Sequence, residues 1–121
     1  MARSPIWCAS IVAQYDVFQT PIAALRRVFP YVVVLQSDLI EGGPDRVVAP
    51  LISAARTISI SLGTSLSPAM SVGGSDDVAE HRLLILGLTN LPAADLKRPV
   101  GTVAAHRDAI TNALDLLFHG F

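Results

Sequence analysis

The sequence predicts a mainly β domain, a small barrel or curled antiparallel sheet with one helix packed on it. Short strand-like segments, separated by turns rich in glycine and proline, run through most of the chain. The segment 31–36 is β-branched and apolar on both faces, which is typical of a central strand. Near the end of the chain, Ile110, Ala113, Leu114 and Leu117 recur at helical spacing and indicate an amphipathic helix.

The first half of the chain is expected to supply three strands. Residues 14–19 alternate weakly, residues 31–36 form the strongest strand, and residues 46–52 form another. Pro50 removes a backbone donor from the third of these, so we expect that strand at an edge or at a bulge. Residues 22–29 are compatible with a loop, an edge segment or a helical turn.

The second half is expected to contain a hairpin and then the helix. Residues 57–62 alternate and fit either a half-buried strand or a loop excursion. Residues 69–72 and 78–88 fit the two arms of a hairpin around the turn at 73–77. The helix is expected to begin near Thr102, because threonine is a common N-cap residue.

The composition indicates one apolar domain and does not favour binding to nucleic acid. Of the 121 residues, 51% are hydrophobic and 16% charged, so part of the apolar surface is expected in a subunit interface. The net charge of −1 lacks the basic footprint of a phosphate-binding protein. The basic residues are scattered along the chain, and the adjacent pairs are Arg26-Arg27 and Lys97-Arg98.

The cysteine count and the first residues favour a cytoplasmic protein. Cys8 is the single cysteine, which fits a reducing compartment. Residues 1–13 faintly resemble a signal peptide, but their apolar part is short and lacks a clear cleavage site. We therefore expect residues 1–13 to be an N-terminal extension and residues 14–121 to form a single domain.

The polar residues do not predict a catalytic site, a metal site or a cofactor. Asp76 and Asp77 follow two glycines and a serine, which is ordinary turn composition. Asp38, just after the predicted central strand, is expected to be a hydrogen-bonded structural carboxylate. The three histidines have no metal-ligand spacing, and a packed neutral role is expected for the second: His81, His106 and His119.

The end of the predicted helix favours contact with another protein. Leu116 and Phe118 lie off the apolar stripe and suggest a second surface. The chain then continues as His119-Gly120-Phe121, an aromatic and flexible tail where polar residues are usual. We expect these last residues to form a contact surface.

Two blocks of sequence together resemble CcdB, the toxin of the ccd toxin–antitoxin system. Residues 33–40, which contain Gln-Ser-Asp followed by two aliphatic residues, are similar to its first half. Residues 110–121, ending in Phe-x-Gly-hydrophobic, are similar to its final helix and tail. The resemblance runs from about residue 14 to residue 121 and implies an SH3-like barrel with a C-terminal helix, assembled as a homodimer.

This resemblance also implies a function without catalysis. CcdB proteins bind the A subunit dimer of DNA gyrase and trap the enzyme on cleaved DNA. A CcdA-like antitoxin with a disordered segment removes the toxin from gyrase, and the toxin–antitoxin complex represses its own operon. Contact with DNA would then arise only through gyrase or the antitoxin.

Carried over residue by residue, the resemblance implies two contact groups. The gyrase-binding group is the end of the chain: Phe118, His119, Gly120 and Phe121. The group that contacts gyrase or antitoxin is Leu39, Ile40 and Asp115. His119 replaces the family's tryptophan, which stacks on a gyrase arginine, and Asp115 replaces a neutral asparagine.

Two alternatives remain open at this point. A non-toxic CcdB homologue, which keeps only fold and antitoxin binding, would explain His119 in place of tryptophan. An endoribonuclease toxin of the MazF type would share the barrel and the dimer, with Arg46 and Arg56 available to stabilise transition-state charge.

Overall fold

A computed structural model describes residues 12–40, 43–53, 66–73 and 80–120 of the chain. These residues form an antiparallel sheet and one α-helix, in agreement with the predicted fold class. The elements, in chain order, are β1 (Asp16–Gln19), β2 (Tyr31–Val34), β3 (Asp45–Ser53), β4 (Ala69–Met70), β5 (His81–Leu83), β6 (Thr89–Pro92), β7 (Gly101–Thr102) and α1 (Arg107–His119).

The sheet curls into a half-barrel with β2 near its middle. The strand order is β4-β5-β3-β2-β1-β7, and β6 pairs with the other part of β3. In β2, Val32 packs on one face while Val33 packs on the other, since the two residues belong to different core clusters. This two-sided burial confirms the central position predicted for residues 31–36.

The position of β3 corrects one of the two alternatives expected from Pro50, that of an edge strand. β3 is paired on both sides, with β2 along one side and with β6 and then β5 along the other. Pro50 falls where the second side changes partner, because pairing with β6 ends at Val48 and pairing with β5 starts at Leu51. The Pro50 carbonyl accepts the Leu84 N–H at 2.9 Å on that side. The Pro50 nitrogen, which has no hydrogen to donate, faces the same side, where β6 ends and β5 begins.

Two apolar clusters cover the two faces of the sheet. The larger lies under α1 and is built from side chains of β1 to β5 together with Val103, Ile110 and Ala113. The smaller lies on the opposite face, where Val12 and Leu96 cover Phe18 and its neighbours. The larger cluster fixes the helix on the sheet.

The helix is shorter at its start than the sequence predicts. It begins at Arg107, whereas Thr102 lies in β7 and its hydroxyl accepts the Ala104 N–H at 3.1 Å. A 3-10 turn at Ala104–His106 separates the two elements, and the threonine hydroxyl bonds to the first residue of this turn. The predicted apolar stripe is confirmed: Ile110 and Ala113 are buried, and Leu114 and Leu117 are partly buried.

The remaining predicted elements have mixed outcomes. β4 and β5 pair antiparallel, as expected for the hairpin arms. Residues 22–29 contain an exposed 3-10 turn at Ala23–Leu25. The possible strand at 57–62 and the turn carboxylates Asp76 and Asp77 lie outside the described residues.

Candidate functional site

The Gln-Ser-Asp segment forms a turn after β2 that is tied down by its own side chains. Gln36 Oε1 accepts the Val47 N–H at 3.3 Å, and Gln36 Nε2 donates to the Ile40 carbonyl at 3.5 Å. Ser37 Oγ accepts the Leu39 N–H at 3.1 Å, and its carbonyl accepts the Ile40 N–H at 3.1 Å. These bonds hold the turn in one conformation against β3.

Asp38 fixes the other side of the same turn. Its Oδ1 accepts the Gln14 N–H at 2.7 Å, and Gln14 Nε2 donates to the Leu35 carbonyl at 3.1 Å. This confirms the structural role predicted for the carboxylate. The nearby Asp16 carboxyl has a raised pKa because burial desolvates its charged form. The Ala13 N–H bond opposes that shift, and the Asp38 charge adds to it.

The fixed turn presents two aliphatic side chains to solvent. Leu39 is 91% exposed and Ile40 is 61% exposed. Exposed aliphatic side chains are common singly, but these two are adjacent on a turn held by four polar residues and form an exposed apolar patch. The polar residues of the motif therefore position the turn, and its two aliphatic side chains remain in solvent.

The end of α1 forms the second exposed group. Phe118 is 63% exposed because Leu114 and Leu117 take the inward positions of the last turns, and Leu116 is partly buried beside them. Asp115 is also exposed. Helix α1 therefore ends with an aromatic ring in solvent.

Gly120 stops the helix in a left-handed conformation. Its φ is +79°, and its N–H donates to the Leu116 carbonyl at 3.0 Å. This is the usual role of glycine after a helix, because it adopts positive φ without steric cost. His119 and Gly120 are exposed, and Phe121 lies outside the described residues.

The structure does not bring Asp115 together with Leu39 and Ile40, the residues with which the sequence grouped it. Leu39 and Ile40 follow β2, while Asp115, Phe118, His119 and Gly120 belong to the end of α1. The hydrogen bonds of the turn hold Leu39 and Ile40 in place, and the helix holds Asp115 near Phe118. The sequence singled out these residues but did not predict the hydrogen bonds that position the turn.

Two of the three histidines, His81 and His106, have packing roles. His106 Nε2 accepts the Ser71 N–H at 3.0 Å, which requires a neutral ring, as predicted. The buried His81 ring meets the Tyr31 ring edge to face at 5.3 Å. Among the described ranges, no group of three histidine, cysteine or acidic residues is placed to hold a metal ion.

The arginines considered for RNA cleavage do not form a described site. Arg46 Nη1 donates to the carbonyls of Gly43 and Asp45, at 3.1 and 2.9 Å, and so lies along its own strand. Arg56 lies outside the described residues.

In the part of the chain that the structure describes, no helix is both long and apolar enough to cross a membrane.

The structure corrects the view that the basic residues are scattered. Arg26, Lys97 and Arg98 line one cleft of about 390 Å³ at the end of β1. They come from the two adjacent basic pairs, which are about seventy positions apart in the sequence. Those pairs were the available signal, but only the antiparallel pairing of β1 with β7 shows that they meet.

Comparison with known proteins identifies the family. The family model described as CcdB protein matches residues 14–120. A search of curated proteins finds no match. The matched range includes the turn after β2 and all of α1. The chain therefore belongs to the CcdB family, the toxins of toxin–antitoxin systems.

Proposed function

We propose that this protein is a gyrase poison that acts by binding alone. The end of α1 binds the gyrase A subunit and traps the enzyme on cleaved DNA, and a CcdA-like antitoxin reverses this. The observation that carries the proposal is the exposure of Phe118, 63%, on the last turn of a helix anchored in the core. An aromatic side chain held in solvent on a rigid element is a typical anchor of an interface.

The apolar area of the two groups supports a binding role. Complete burial of a phenylalanine, leucine or isoleucine side chain contributes about 1.5–3 kcal/mol. Phe118, Leu39 and Ile40 are each more than half exposed, so most of that free energy is available to a partner. The turn hydrogen bonds and the helix lower the entropy that these side chains lose on binding.

His119 and Asp115 adjust this surface relative to the family pattern. The His119 imidazole is smaller than an indole and gives a weaker cation–π contact with an arginine. Asp115 adds a negative charge beside the exposed ring, where the family has a neutral amide. We expect affinity for gyrase to depend on salt and to favour a gyrase with a cation facing Asp115.

We further propose the assembly and the domain limits. Residues 14–121 form one toxin domain, residues 1–13 are an extension, and two copies form the homodimer. The high apolar fraction of the chain supports a subunit interface. Leu39, Ile40 and Asp115 then form the surface that antitoxin and gyrase contact in turn.

The experiment is a DNA cleavage assay with purified gyrase. The full-length protein should increase the amount of covalent gyrase–DNA complex, and a variant lacking residues 119–121 should not. Leu25→Ser is the matched control, because Leu25 is 43% exposed on the 3-10 turn at Ala23–Leu25, outside both groups. Poisoning by the truncated form at the wild-type level, with both proteins folded, would overturn the tail assignment.

A second candidate function rests on His119. If this protein keeps the fold and the antitoxin contact but does not poison gyrase, the wild type should give no cleavage complex. His119→Trp should then produce it, because the larger ring restores the stronger cation–π contact. Cleavage complexes with the wild type would reject this candidate.

A further inference from the structure

The cleft at the end of β1 combines positive charge with an apolar floor. Arg26, Lys97 and Arg98 line it together with one carboxylate, Asp95, among the described residues. Phe18, which is 2% exposed, and Val100 form part of its apolar lining. Because the whole chain carries a net charge of −1, this is a local concentration of positive charge.

Arg26 is held in the cleft by the backbone. Its Nε donates to the Thr20 carbonyl at 2.6 Å, and its Nη2 donates to the Pro21 carbonyl at 3.5 Å. A guanidinium has five N–H donors in a fixed plane, so these two bonds orient it and leave donors for an anion. The arginine is therefore a positioned contact group, although its side chain is exposed.

The same cleft exposes a strand edge. Pairing of β1 with β7 ends at Val17, whose carbonyl accepts the Val100 N–H at 2.7 Å. Backbone groups alternate sides along a strand, so the N–H and carbonyl of Gln19 face the same side as those of Val17. Residues 97–100 line the cleft beside Gln19. Strand β7 pairs with Asp16 and Val17 and does not extend to Gln19.

We propose that this cleft binds an extended acidic peptide segment of a partner protein. The peptide backbone pairs with the edge of β1 at Gln19, and its carboxylates contact Arg26, Lys97 and Arg98. An aliphatic side chain between the carboxylates packs on the floor of the cleft. Such strand addition takes its affinity from main-chain bonds and its selectivity from alternate side chains.

An acidic peptide fits the cleft better than nucleic acid does. A phosphate backbone needs an extended basic surface, whereas this cleft has three cations and a carboxylate within about 390 Å³. None of the cleft residues belongs to the surface proposed for gyrase. The proposal therefore goes beyond the proposed function and can be tested separately.

The test is fluorescence anisotropy of a labelled peptide that alternates glutamate and valine, titrated with the full-length protein. The wild type should bind this peptide, and a peptide with glutamine at each glutamate should bind about tenfold more weakly or not at all. The double variant Lys97→Gln/Arg98→Gln should lower the affinity for the glutamate peptide to roughly a third of the wild-type value or less. Urea denaturation establishes that the variants remain folded.

The matched control is Arg46→Gln/Arg107→Gln, which removes the same charge from outside the cleft. It should bind the peptide like the wild type. Equal weakening by both double variants would show a non-specific charge effect and overturn the proposal. The proposal also fails if the wild type does not bind the peptide, or binds a DNA oligonucleotide more tightly. Lys97→Gln/Arg98→Gln should leave gyrase cleavage unchanged.

Discussion

Gly101→Ala should destabilise the fold because β7 passes too close to a neighbouring segment to admit a side chain. A Cβ at position 101 would lie 2.5 Å from Val72 Cγ1 and 2.6 Å from the Gly73 carbonyl oxygen. The second contact is with backbone and cannot be relieved by a rotamer change. Relief requires separation of the bridge in which Gly73 and Thr102 exchange two hydrogen bonds, of 2.8 and 2.9 Å.

The cost follows from that geometry. Loss of two backbone hydrogen bonds costs about 2 kcal/mol in total, and the backbone shift adds about 1 kcal/mol. The lower entropy of the unfolded alanine chain offsets roughly 0.5–1 kcal/mol of this. We therefore expect the free energy of unfolding to fall by about 2 kcal/mol, which lowers the urea midpoint by about 1 M at an ordinary m-value.

The assay is urea denaturation followed by circular dichroism, at one protein concentration because association of the proposed homodimer would add to the stability. Gly73→Ala is the matched control on the same bridge, since its Cβ would meet the nearest atoms of Thr102 at 3.6 and 3.8 Å, ordinary contact distances. Its free energy of unfolding should stay within about 0.5 kcal/mol of the wild type. Equal midpoints for the two variants would refute the close approach of β7 to this segment.

Three further predictions concern the helix, the start of β1 and the turn after β2. Ile110→Ala should lower the free energy of unfolding in urea by about 3 kcal/mol and Ile110→Val by about 1 kcal/mol, because the side chain is 1% exposed. Equally small losses for both variants would mean that α1 does not pack on the sheet. Because the pKa of Asp16 is raised by burial and further by Asp38, its ionisation weakens the fold as pH rises from about 3.9 through the folded pKa. Asp16→Asn should therefore gain more stability over wild type at about pH 7 than at about pH 3, and a gain independent of pH would contradict this. Asp38→Ala removes the acceptor of the Gln14 N–H, so this amide should exchange faster with deuterium, and unchanged exchange would count against the turn structure.

The strongest local patterns of the sequence correctly predicted the central strand and the amphipathic helix. The β-branched run of β2 and the helical spacing of Ile110, Ala113, Leu114 and Leu117 report burial directly, and both were confirmed. Burial on both faces of β2 follows from composition alone. These features depend on short-range periodicity, which a single sequence carries.

The errors came from contacts between distant segments. Pro50 indicates an edge only if one partner runs along the whole strand, whereas β3 changes partner from β6 to β5 at that residue. Thr102 has the residue type of a helix N-cap, but its pairing with Asp16 places it in β7. In both cases tertiary pairing overrides a correct local preference.

The sequence singled out the exposed apolar residues of the candidate site, but it did not predict the hydrogen bonds that hold them in place. The aliphatic pair after Gln-Ser-Asp and the aromatic helix end were visible in the sequence as apolar residues in unusual places. The roles of Gln36 and Asp38 depend on Val47 and Gln14, which are distant in the chain. The basic cleft was missed for the same reason, because its pairs meet only through the sheet.

The most direct test of the proposed gyrase binding is the affinity of the purified gyrase A subunit for the wild type and for Phe118→Ser, measured by titration calorimetry. Burial of this ring predicts that the variant binds at least about tenfold more weakly. The urea midpoint should not fall, because the ring is 63% exposed in the folded protein. Wild-type affinity in a folded Phe118→Ser variant would contradict the claim that the exposed end of α1 is the gyrase-binding surface.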